Sequence, residues 1–369
     1  MIKIKKKILT ACFVLIFLAV AVFPAAAMEI TSELKEVINT DIVEDAVPDS
    51  AREIIGRAEI ETGEGQKRLL ADIWNYIKEN SGKQLKQAIK SAVSVLLIAI
   101  ITAIATSAFN VRQSYTVMAG VVGISAATVS SAASFIALGR KTISEISVFS
   151  KVLLPTLATA GTVNGAYTSA GAKYAVSVFF IDLLISAAEK LIIPLICAYL
   201  AAGIASAAIG GDGISAVVNF LKWLTVTIMT SLVMIFTAFL SITGIVSGNA
   251  DAVVQRVTKT AISTALPVVG GIVSDAAGAV ASGAALLKNG IGVFGMIVVL
   301  AVCTIPFLKI GFGYLTYKGA SALCAAVADA RITKLLGSIG TAFGMILGLV
   351  GSAAVMLFVS VIISMKAVM

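Results

Sequence analysis

NGIGVFGMIVVLAVCTIPFL, Asn289 to Leu308, is a run of 20 residues without a charged side chain. A helix rises about 1.5 Å per residue, so about 20 apolar residues are enough to cross the roughly 30 Å hydrocarbon core of a bilayer. Six more uncharged runs of this kind follow the same logic: Ser91 to Val111, Gln113 to Gly139, Val152 to Ala172, Leu191 to Gly211, Trp223 to Ala250 and Leu335 to Met365. Together they predict at least seven spans. Tyr174 to Ala188, Leu266 to Leu287 and Ile310 to Ala328 are comparably apolar but carry Asp182, Asp275 and Lys318. Each of these three reads as a buried span, a re-entrant hairpin or an interfacial helix. With 59% hydrophobic and 13% charged residues and a mean hydropathy of +1.01, the chain is an all-α, polytopic helical membrane protein.

The polar residues are concentrated at one end. Of the 20 acidic residues, 13 lie between Met28 and Lys90. Residues 1–27 read as a signal peptide, with basic Lys3, Lys5, Lys6 and Lys7, an apolar run from Ile8 to Phe23, and Ala25, Ala26 and Ala27 as the cleavage site. Leu9-Thr10-Ala11-Cys12 has the residue types of a lipid-attachment site, but the apolar run follows the cysteine instead of preceding it. A retained signal anchor is the alternative to cleavage, and it too would place residues 28–90 outside the cytoplasm. Lys83, Lys86 and Lys90 then sit on the side that basic residues usually avoid, whereas Arg112 obeys that preference.

Residues 28–90 read as a small helical extracytoplasmic segment, and residues 91–369 as the membrane body. Val47-Pro48-Asp49 and Thr62-Gly63-Glu64-Gly65 are breaks. Ser50 followed by Glu53 has capping-box spacing, and Leu69, Leu70, Ile73, Trp74 and Ile77 form an apolar stripe. About 60 residues make a marginal independent core, so these helices are expected to pack on each other, on the membrane body or on a partner protein.

Four prolines in the membrane body, expected to break or kink helices, form two pairs with the same 39-residue spacing: Pro155 with Pro194, and Pro267 with Pro306. The pairs are offset by 112 residues, and the same offset aligns Lys222 with Lys334. A duplicated unit over residues 142–247 and 254–369 is one reading; prolines that merely mark helix starts or kinks are the other. Small residues recur every fourth position at Gly270, Ser274, Gly278 and Ser282, and again at Gly340, Gly344 and Gly348. Such stripes let helix backbones approach closely or line a pathway. Asp182, Asp275 and Asp329, with Lys222, Lys288 and Lys334, are costly in lipid, and Asp182 and Asp275 are the candidates for carrying an ion or solute.

Catalytic readings lack parts. There is no histidine, which removes His-activated nucleophiles and the usual zinc motifs, and there is no Walker A sequence. Gly210-Gly211-Asp212-Gly213 resembles the GxGD signature of intramembrane proteases, but Ile209 replaces the first glycine, so a turn between spans is the better reading. Cys197, Cys303 and Cys324 have no metal-binding spacing and read as buried thiols. No metal or cofactor is expected. The isolated charges of the membrane body do not form a nucleic-acid footprint.

LPVVGGIVSDA, LLKNGIGVFG and PFLKIGFGYLTYKGASA, in that order behind a signal and an acidic helical segment, resemble the stage III sporulation protein AE family. The resemblance covers essentially the whole chain, most specifically Leu266 to Ala320. One departure is that Ala325-Ala326 stand where the family pattern often has an acidic-proline pair before the aspartate matched by Asp329. The resemblance implies a non-enzymatic, multi-pass subunit of the channel complex between mother cell and forespore. It implies as partners a cognate ATPase, ring-forming subunits and other membrane subunits of that complex, and a place in the mother-cell membrane. The small-residue stripes also suit a homo-oligomer. The competing function is a self-contained secondary transporter using buried aspartates.

Overall fold

The computed structural model describes residues 40–56, 63–108, 113–163, 167–242 and 290–368. Every element among them is helical: α1 Thr40–Asp45, α2 Asp49–Ile55, α3 Gly63–Ala108, α4 Gln113–Val163, α5 Tyr167–Ala187, a π-helical turn Ala188–Ile192, α6 Ile193–Ile209, α7 Asp212–Ile242, α8 Gly290–Cys324 and α9 Ala330–Val368. Six helical segments among the described residues are long and apolar enough to cross a membrane. The chain is an all-α, multi-pass membrane protein.

Charged residues that bound the apolar runs do not bound the helices. Val152 to Ala172 is not a span of its own, because α4 runs unbroken from Gln113 through Arg140, Lys141 and Lys151 to Val163. Likewise α3 passes through Lys90 without interruption, so the junction between the polar segment and the membrane body is not a break in secondary structure. The Lys318 segment is the carboxyl half of α8, and the Asp182 segment is α5, which joins α6 through the π turn. Pro194 is the second residue after that turn, in the first turn of α6; without an N–H it cannot donate to an i−4 carbonyl. Pro155 and Pro306, expected as helix breaks, lie inside α4 and α8.

The helices α8 and α9 pack most extensively on each other and form the centre of the bundle, with α3, α4, α5, α6 and α7 around them. In the most apolar window of α8 and α9, 78% and 89% of residues are buried, against 22–33% in the other four spans. Close approach is made at glycines. Gly295 faces Leu153 and Gly313 faces Phe135, so an advance of 18 residues along α8 matches a retreat of 18 along α4, and the two are antiparallel. Gly120 meets Thr102 and Gly123 meets Ile98, which sets α3 antiparallel to α4 as well.

Exposed apolar side chains form a band on three of the helices. On α3, Ile89, Val93, Leu97, Ile100, Ile101 and Ile104 face outward, and on α7 Val217, Phe220, Trp223, Met234 and Ile235 do so. Tyr115, Met118, Val122 and Val129 continue the band on α4. At about 1.5 Å per residue the band is roughly 21 to 27 Å tall, close to a hydrocarbon core. Before Ile89 the outward face of α3 is charged instead, with Lys67, Arg68, Lys78, Glu79, Lys83 and Lys86 exposed. Along α3 the outward face is thus apolar in one layer and charged in a second, and the helix runs unbroken through both; Val148 on α4 and Phe179 and Leu183 on α5 are exposed apolar residues outside the first.

The second layer holds α1 and α2. Val43, Val47, Ala51, Ile54 and Ile55 are buried where these short helices pack on α3, α4 and α8, so they pack on the body of the protein. The expected stripe Leu69, Ile73 and Ile77 is buried beside them. The capping box does not form. Pro48, not Ser50, occupies the cap position of α2, and the Ser50 hydroxyl donates to the Glu145 carboxylate at 2.5 Å. Arg52 ties the same corner, donating to the carbonyls of Glu44, Asp45 and Val47. Of the three cysteines read as buried, Cys303 and Cys324 are, whereas Cys197 is exposed on α6.

A basic cavity as candidate functional site

Two tight connections meet at one end of the bundle, and both are explained by local chemistry. Between α6 and α7 the chain turns at Gly210 and Gly211, whose φ values of 73° and 127° suit residues without a Cβ. The GxGD-like string is thus a turn, as its residues predict. Between α8 and α9, Asp329 caps the new helix: its carboxylate accepts from the Arg331 backbone N–H at 2.8 Å and its carbonyl from the Thr333 N–H at 3.1 Å. Asp329, read from sequence as an intramembrane charge, has this structural task. The Ser321 hydroxyl donates to the Thr333 carbonyl at 2.9 Å and closes the hairpin.

A cavity of about 420 Å³ opens between these two hairpins. Lys222 comes from α7, Lys318 from α8, and Arg331 and Lys334 from the first turns of α9. Hydroxyls of Tyr199, Ser206, Ser215, Ser338 and Thr341 and the amide of Asn219 complete its polar lining. Among the described side chains, four cations and no carboxylate line it.

Glycines place the cations. A Cβ on Gly340 would lie 3.2 Å from Lys318 Cγ and 3.3 Å from the Lys318 backbone nitrogen, so the expected Gly340, Gly344, Gly348 stripe lets α8 cross α9 closely at that point. The ammonium of Lys318 then donates to the Gly337 carbonyl at 3.0 Å and to the Thr341 hydroxyl at 2.7 Å. Gly210 plays the same part for Arg331, whose guanidinium carbon is 2.9 Å from where a Cβ would stand. The Ser206 and Ser215 hydroxyls share a hydrogen bond of 3.1 Å across the α6–α7 hairpin. Lys318 lies six residues before the end of α8 and Thr341 eleven after the start of α9. The cavity thus reaches on the order of 9 to 17 Å into the bundle.

The other sequence candidates fall elsewhere. Asp182 is not buried: it pairs with Lys151 of α4 at 3.0 Å, and both side chains are about half exposed on the perimeter. Gly344 and Gly348 are buried on α9. Asp275, Gly270, Ser274, Gly278, Ser282 and Pro267, like Ala25 and Ala27 of the signal, lie outside the described residues. The described residues contain no group of metal-ligating side chains.

Sequence reasoning found Lys222, Lys318 and Lys334 one at a time and missed Arg331 and the hydroxyls. The available signal was the 112-residue offset pairing Lys222 with Lys334, since the two line one cavity.

Comparison with known proteins gives a consistent result. The profile described as Stage III sporulation protein AE matches residues 52–368. Stage III sporulation protein AE of Bacillus subtilis (strain 168) is 22% identical over 225 residues, which cover 61% of this chain and 56% of that protein. The chain thus aligns with little more than half the length of this curated relative. No solved structure matches.

Proposed function

The chain belongs to the stage III sporulation protein AE family and has a role in sporulation; from that membership and its two-layer architecture we propose that it is a membrane subunit of the channel complex joining mother cell and forespore. It is non-enzymatic in this reading. It resides in the mother-cell membrane, with the second layer facing the space between the two membranes. Counting α3, α4 and the α5–α6 pair as alternating crossings from an exported start, the basic cavity faces the mother-cell cytoplasm.

The observation that carries the reading is that the family match runs from residue 52, inside α2, to the end of α9, so it takes in most of the outer layer together with the membrane layer. A subunit that must meet partners between two membranes needs both. The sequence has no Walker A motif, so an ATPase partner would supply energy, with ring-forming subunits as further partners.

The test is a tagged chain expressed in sporulating cells lacking the native gene. Restored sporulation together with co-purification of the cognate ATPase and ring-forming proteins supports the reading. Purified protein that moves a solute across liposomes unaided, with no partner recovered from cells, would replace it with the transporter reading. The perimeter position of Asp182 removes one of the two aspartates on which that alternative rested.

A further inference from the structure

We propose that the cavity between α6, α7, α8 and α9 binds a phosphate-bearing anion, held by Lys222, Lys318, Arg331 and Lys334. The inference stands on the cavity itself and does not depend on the channel reading.

Four cations directed at one space within a helical bundle repel one another, and a membrane layer offers less water than bulk solvent to screen them. Lys222, Lys318 and Arg331 are half-buried while Lys334 is exposed at the mouth; half-buried charges of one sign call for a counter-charge, and the described lining supplies none. An anion bound between the hairpins provides it. The donor set favours phosphate over a simple carboxylate. Lysine ammoniums, one guanidinium and several hydroxyls come from four different helices, and a phosphate group has enough acceptor oxygens to take bonds from many directions at once. Lys318 is held in place by the Gly337 carbonyl and the Thr341 hydroxyl, which leaves one of its three N–H donors for a ligand.

Size and surroundings narrow the ligand further. A cavity of about 420 Å³ falls in the range that accommodates organic ligands, so there is room for a phosphate together with its ester substituent. Ile209, Val217, Phe220, Trp223, Leu323 and Val327 are exposed around this end of the bundle, which brings lipid alongside the cavity. A phospholipid headgroup and a soluble phosphate compound share the recognising chemistry, and the experiment separates them.

The full-length protein, held in maltoside detergent micelles and a buffer that carry no phosphate, is treated with an amine-acylating reagent, and modification of Lys222, Lys318 and Lys334 is read by mass spectrometry. One arm adds phosphatidylglycerol to the micelles; the other adds inorganic phosphate to the buffer. Protection of these lysines by roughly tenfold, with exposed Lys86 unprotected, is expected. Protection by phosphatidylglycerol alone assigns a headgroup as the source, and protection by phosphate assigns a soluble ligand. Protection by neither overturns the proposal. The Lys222→Gln/Lys334→Gln double variant should lose protection of Lys318, whereas Lys86→Gln retains it. Full protection of Lys318 in the double variant also overturns the proposal. Because the footprint is taken first on the wild-type chain, misfolding of a variant leaves the test standing.

Discussion

Gly313→Ala tests whether the glycines of α8 are there for packing. A Cβ at this position would lie 2.5 Å from Phe135 Cε2 and 3.0 Å from Cζ, whereas carbon atoms settle at about 3.5 to 4.0 Å. The ring must therefore retreat by about 1 Å. Its inward side is closed: half-buried Phe135 stands edge-on to fully buried Phe343, with centroids 4.8 Å apart, and Phe343 stands edge-on to buried Tyr317 at 5.2 Å, so the ring can retreat only outward. Overfilling of this kind costs about 1 to 3 kcal/mol. Gly319, six residues along the same helix, provides the control, because a Cβ there meets nothing within 4 Å. Alanine gains up to about 1 kcal/mol over glycine in a helix interior, and that gain is common to both sites. Gly319→Ala is therefore expected to be neutral or slightly stabilising, and Gly313→Ala to be less stable than Gly319→Ala by about 1 to 3 kcal/mol. Reversible unfolding in mixed detergent micelles measures the difference. Adding Phe135→Leu to Gly313→Ala should recover part of it, as a coupling between residues in contact. Equal stability of the two alanine variants would refute the packing argument.

Three shorter predictions address the outer layer, the perimeter pair and the α9 cap. Ser50→Ala removes the donor to Glu145, a bond to a charged acceptor worth about 1.5 to 3 kcal/mol, and should expose residues 40–56 to protease while the membrane layer stays resistant; an unchanged digestion pattern rejects this anchoring role. Asp182→Asn loses a half-exposed ion pair and should change stability by less than about 1 kcal/mol without impairing sporulation, and loss of sporulation at normal protein level would give Asp182 a role beyond that pair. Asp329→Ala should lower stability by about 0.5 to 2 kcal/mol through loss of the α9 cap, with Asp329→Asn retaining most of it; equal losses in the two variants would point to the charge instead of the cap.

The length of the uncharged runs made the helical, multi-pass character of the chain legible, because only a helix satisfies its backbone in lipid within a single segment. Helix boundaries were much less legible. Arg140 and Lys141 end an apolar run, yet both are exposed on the surface of an uninterrupted α4. A charge marks where a helix surface meets water; it does not end the helix. Glycine with positive φ does, as at Gly210-Gly211. The cavity was legible only as separate residues, because Lys222, Lys318 and Lys334 belong to three helices whose relative rotation no sequence period reports.

Hydropathy also fails to distinguish helices that face lipid from helices that face protein, and the reason is physical. The windows of α8 and α9 have mean hydropathies of 2.6 and 2.5, scarcely above the 2.3 of α3, yet 78% and 89% of their residues are buried against 22% of those of α3. Lipid tails are as apolar as leucine, so apolar character alone does not draw one helix against another within a bilayer. Close packing does, and close packing needs small residues. From Lys83 to its end at Ala108, α3 has no glycine, whereas α9 has Gly337, Gly340, Gly344, Gly348 and Gly351 and α8 has Gly295, Gly311, Gly313 and Gly319. Four of these meet side chains closely enough that a Cβ would force a shift: Gly295 against Leu153, Gly313 against Phe135, Gly337 against Ser321 and Gly340 against Lys318. Two of those four, Gly337 and Gly340, stand where Lys318 crosses α9. The residues that bring the central pair together are thus also the ones that hold a cation at the cavity, so enlarging either glycine should disturb packing and cavity together.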